Sequence, residues 1–144
     1  MAAVADKKTV TAPFGNTEAM VRVIYDFAAD AGDAGALELL EADGAIVITD
    51  FYVRGITELD SAADGSSIDV GISGGDTDIL LDGVAEASVA AGALVKPTIV
   101  EGAPNVMPMP LLLADGGKII QTIKDEALTS GKCEYFFKYH RFGA

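Results

Sequence analysis

The chain has 144 residues, half of them hydrophobic, 7% aromatic and 22% charged, which is the composition of one folded domain and not of a disordered segment. Ten lysines and arginines face 22 aspartates and glutamates, and the formal charge of −12 argues against nucleic acid or an anionic membrane as partner. A single cysteine and a single histidine leave no internal disulfide and no Cys/His zinc set, which excludes the metal-binding cupins of the β-barrel class.

Residues 1–17 are small and polar, with Pro13, Gly15 and Asn16 and no apolar period, and read as an extended arm outside a domain of residues 18–144. Deleting residues 2–12 is therefore expected to leave the stability of the domain nearly unchanged. Asp6, Lys7 and Lys8 stand where a signal peptide would place its apolar core, and no apolar run approaches the ~20 residues that span a bilayer, so the chain reads as soluble and intracellular.

From Met20 to Ala28 the residues alternate, with Val21, Val23, Tyr25 and Phe27 on one side, which predicts a half-buried strand. DAGDAG at Asp30 to Gly35 is a turn, and Ala36 to Ala42 is a second strand or a helix. Ala45 to Leu59 is rich in β-branched and aromatic residues and predicts one long strand or two short ones, with Gly55 marking a bulge or bend. Ser67 to Ser73 aligns Ile68, Val70 and Ile72 on one face, and Gly74 and Gly75 end it.

In Asp76 to Gly83 an aspartate or Thr77 caps a short helical turn with Ile79, Leu80 and Leu81 as its apolar face. A small, apolar stretch follows and ends in a strand, Thr98 to Val100. Glu101 to Pro110 carries Pro104, Pro108 and Pro110 around Met107 and Met109, which predicts an irregular loop. Lys118 to Asp125 and Lys132 to Phe142, joined by EALTSG, have the pattern of neighbouring antiparallel strands. The sum is an all-β fold, a sandwich or jelly roll with an N-terminal arm and one or two short helical turns.

Asp76, Asp78 and Asp82 form the densest acidic group, but Leu80 stands where an EF-hand places an oxygen ligand and no glycine follows it, so capping and turn formation explain them more simply than calcium. Cys133 and His140 are seven residues apart and point to opposite sides of a regular strand, a core cysteine and a surface or interface histidine and not a catalytic pair. No phosphate-binding glycine loop is present, and the glycine-rich C-terminal motif of trimeric dUTP hydrolases is missing. These gaps argue against an enzyme. The absence of tryptophan disfavours lectin-type sugar binding.

Charge is unevenly spread. Residues 118–144 hold five cations against three carboxylates, and the first 117 hold five against nineteen. The basic end reads as a docking face or as solvated strand surface.

VITDFYVRGI at Val47 to Ile56, SSIDVGISGGDTDILLDG at Ser66 to Gly83, ASVAAGALVKP at Ala87 to Pro97 and the closing GKIIQTIKDEALTSGKCEYFFKYHRF at Gly117 to Phe142 resemble, in that order, the capsid decoration or cement proteins of tailed bacteriophages. The resemblance implies a β-sandwich or jelly roll, an oligomer with a trimer favoured, made in the host cytoplasm and bound through the major capsid protein to the outer surface of the virion head. It implies no catalytic residue and no cofactor. Lys124, Lys132, Lys138 and Arg141 are the expected electrostatic contacts with the capsid or a neighbouring subunit, and Met107 and Met109 the expected apolar ones. The alternatives are a surface-exposed carbohydrate- or receptor-binding β-module and a small hydrolase without a recognisable motif.

Overall fold

In the computed structural model, which describes residues 2–15, 17–97 and 108–142, the regular secondary structure is almost wholly β-strand. They are β1 (Ala2–Val10), β2 (Ala19–Asp26), β3 (Gly35–Ala42), β4 (Ile46–Ser61), β5 (Ser67–Ile72), β6 (Leu81–Ala85), β7 (Leu94–Val95), β8 (Leu111–Leu113), β9 (Lys118–Lys124) and β10 (Leu128–Arg141). A four-residue helix, α1 (Phe27–Asp30), follows β2, and a 3-10 turn, Glu86–Ser88, follows β6. One sheet has the order β1-β3-β9-β5-β6. The second has β2-β10-β4-β7, with β8 also paired to β4. No helix among the described residues is long and apolar enough to cross a membrane.

The two sheets share one hydrophobic core, the all-β sandwich expected from the sequence. Period-two alternation supplies it: Val23 and Tyr25 from β2, Phe51 and Val53 from β4, Ile68 and Val70 from β5, and Cys133, Tyr135 and Phe137 from β10 are all buried. Phe51 stacks on Tyr135 at 6.2 Å and tilts against Phe137 at 5.1 Å. The Tyr135 hydroxyl donates to Gln121 Oε1 on β9, a polar link between the sheets inside the core.

The predicted segment forms one strand, β4, and not two, and its predicted bulge is there: Lys132 pairs with Thr57 and Cys133 with Gly55, which leaves Ile56 unmatched. A glycine is needed at that point because a Cβ on Gly55 would lie 2.0 Å from the Ala90 carbonyl oxygen, where the segment after the 3-10 turn crosses β4. Residues 36–42, open between strand and helix in the sequence, are part of β3.

Three expectations are corrected. Residues 2–10, read as an arm outside the core, form β1, parallel to β3, with Val4 and Val10 buried in the core. Only two apolar side chains six residues apart face inward, separated by Asp6 and Lys8 and a register shift, so no apolar period is visible locally. Residues 76–83 form no helix: a turn at Thr77 and Asp78 leads into β6, because Val70 accepts a backbone bond from Leu80 and its strand pairs with Leu81. β9 and β10 are not a hairpin. Each joins a different sheet, β9 between β3 and β5, and β10 between β2 and β4. Asp125, at φ +69°, turns the chain across the sandwich. The strand expected at residues 98–100 lies outside the described residues.

Candidate functional site

The expected docking residues do not form one patch. Lys124 belongs to the first sheet and is tied to Asp69 at 3.0 Å, which raises its pKa. Lys118 and Lys7 similarly close on the nearly buried Glu38 at 3.0 and 3.3 Å, and Lys7 also meets Glu41 at 2.9 Å. The outer side of this sheet therefore consumes its own charges. Hydrogen bonding to Lys118, aided by Lys7, holds the Glu38 carboxyl below its ordinary pKa.

Lys132, Lys138 and Arg141 lie on β10 in the second sheet. Lys138 reaches Glu18 at 3.7 Å, and the Arg141 guanidinium sits 5.0 Å from the centre of the Phe14 ring. Met109 is half-buried against the core and offers only part of its side chain, while Met107 lies outside the described residues.

What the sequence reading missed is the rest of the outer face of the second sheet. Because Val23, Tyr25, Val53, Tyr135 and Phe137 point inward, their neighbours point out and meet in register. Arg22, Phe136 and Tyr52 form one cross-strand row; Ile24, Glu134, Arg54 and Leu94 form the next. Tyr52 and Phe136 stack with centroids 4.6 Å apart and 19° between planes. Together with Arg54, Leu94 and Lys96 they line a concavity of about 320 Å³.

Glu134 beside it is nearly buried, 3.2 Å from Arg22 and 3.9 Å from Arg54, which orients both guanidinium groups. Met20, Leu94 and Leu112 remain about half exposed or more on the same face. An aromatic pair ringed by arginine and lysine on a chain of charge −12 is a surface suited to docking, since buried aromatic and arginine anchors carry most interface energy. The signal lies in the alternation itself: Tyr52 and Phe136 are the out-facing members of strands whose in-facing members, Phe51, Val53, Tyr135 and Phe137, are buried.

Cys133 and His140 are kept apart as expected. The thiol is fully buried and pushed up to about 12 by that burial, so it is not a nucleophile. His140 Nδ1 lies 2.8 Å from the Arg141 carbonyl oxygen on the other side of the strand.

Asp76, Asp78 and Asp82 stay near the surface, and among the described residues they do not gather their oxygens into a ligand cluster. The Asp78 carboxyl is pushed up to about 6, first by its hydrogen bond with Asp76, then by burial and by the Asp82 charge. The folded protein thus holds a proton there that the unfolded chain, near 3.8, releases, and stability falls as pH rises between these values. Asp78→Asn is expected to raise the melting temperature at about pH 7.5, with the gain vanishing near pH 4, as thermal melts across that range will show.

No known family model matches the chain, and no curated protein sequence does. Among solved structures, a chain in the cyanophage Pam1 capsid asymmetric unit is similar in fold, with a TM-score of 0.60 and 16% identity over 90% of this chain and 89% of that one. A chain in the capsid of Ralstonia phage GP4 is similar at a TM-score of 0.55 and 14% identity over 95% of this chain and 100% of that one. At these identities the likeness establishes a common fold.

Proposed function

We propose that the protein is a structural component of a tailed-phage virion, a decoration or cement protein that binds the major capsid protein on the outer surface of the head and stabilises contacts between capsid subunits. The observation that carries this reading is the end-to-end likeness in fold to two chains of similar length in phage capsid structures. The outer face of the second sheet supports it, with the stacked Tyr52 and Phe136 set among Arg54, Leu94 and Lys96. Lys132 and Lys138 belong to that face, and Arg141 lies at its edge; Lys124 is bound up in the first sheet.

A homotrimer fits the role. Symmetric copies cover the strand edges at β1 and β6, and several modest contacts in one rigid assembly bind with high avidity. Such a role needs neither turnover nor cofactor.

The test is to strip the protein from purified heads with mild denaturant and heat stripped and intact heads in parallel. Stripped heads are expected to release DNA at a lower temperature, and adding back the purified protein to restore the original one. Equal release temperatures would sink the cement reading. The stacked Tyr52 and Phe136 beside a concavity also favour a second reading, a carbohydrate- or receptor-binding module, because sugar rings stack on such faces. Saturable glycan binding lost in Tyr52→Ala, on heads whose heat resistance does not depend on the protein, would favour it.

A further inference from the structure

We propose that Asp60, Asp64 and Glu86 form a binding site for a hard divalent cation of the calcium class. Asp60 is the penultimate residue of β4, Asp64 lies in the turn after it at φ +57°, and Glu86 opens the 3-10 turn that follows β6. One carboxylate oxygen from each lies within 4.8 Å of the other two. Oxygens bound to one calcium at about 2.3–2.6 Å are separated by up to about 5 Å, so the spacing suits a shared ion.

Three carboxylates alone would be an ordinary acidic cluster. The independent observation is Glu86. The residue is only 3% exposed, and among the described residues Oε2 has no hydrogen-bond partner. A buried carboxylate oxygen left unpaired is costly, whereas a cation shared with Asp60 and Asp64 satisfies it and offsets the mutual repulsion of the three groups. Asp60 Oδ1 also accepts from the Ser61 amide at 2.9 Å, and the neighbouring Glu126 is engaged by the Ala63 and Gly65 amides at 3.1 Å.

The exposed aspartates leave an open side for water to complete six to eight ligands, as weak extracellular calcium modules do. Because β4 belongs to the second sheet and β6 to the first, the ion would pin the two sheets together at one end.

Calcium chloride titrated into chelator-treated protein tests this, read by calorimetry and by thermal melting. At about 5 mM calcium the melting temperature is expected to rise by about 5 °C. Glu86→Gln, which keeps the shape and removes the charge, is expected to abolish both the rise and the binding heat. Asp64→Asn, at an exposed position that does not endanger folding, is expected to weaken calcium at least about tenfold. Asp78→Asn, in the other acidic group, is expected to leave the response intact. No rise in the wild-type protein, or a rise that survives Glu86→Gln, overturns the proposal.

Discussion

Deleting residues 2–10 is expected to lower the melting temperature by about 10 °C or more, the opposite of what an unattached arm would do. The deletion takes Val4 and Val10, each 5% exposed or less, out of the core, and burial of two valines is worth about 3–6 kcal/mol. Side-chain links go with them: Asp6 accepts from the Ile24 amide at 2.8 Å, and Lys7 bridges Glu38 and Glu41. Against a total stability of about 5–15 kcal/mol this is a large share. The loss also uncovers the edge of β3, so the truncated protein should aggregate more readily at equal concentration. Calorimetry with light scattering on the two forms will decide, and an unchanged melting temperature would mean that β1 is not docked in solution.

The second large effect is expected at the outer face. Tyr52→Ala with Phe136→Ala should weaken attachment to stripped heads by about a hundredfold or more per protomer, since paired aromatic anchors at interfaces carry about 2–4 kcal/mol. The fold should persist, because both rings point away from the core and only their mutual stacking, about 1 kcal/mol, is lost. Cosedimentation with heads, alongside melting of the free variant, separates the two effects. Charge reversal at Arg22 or Lys138 should act differently, by slowing association and changing its salt dependence. If wild-type and double variant cosediment equally, the second sheet does not carry the contact.

Much of the secondary structure was legible because alternation is a local property. Val23 and Tyr25, Ile68 and Val70, and Cys133, Tyr135 and Phe137 each announce an inward face within one short run. Gly55 announced its bulge in the same way. The turn at residues 76–83 was misread because a short apolar run after an aspartate serves a helix or a strand equally well, and only pairing with β5 selects the strand.

By itself, then, the sequence determined that the chain is all-β, where most of its strands run, which sides of them are apolar, and that Cys133 and His140 face apart. Tertiary structure alone decided which sheet each strand joins, that β1 belongs to the core, and which distant residues meet. Strand pairing is a contest among edges far apart in the chain: β9 and β10 are separated by three residues yet pair with different partners. For the same reason the Tyr52–Phe136 stack and the convergence of Glu86 on Asp60 and Asp64 have no local signature. Each exists only once register fixes which out-facing or loop residues stand opposite one another.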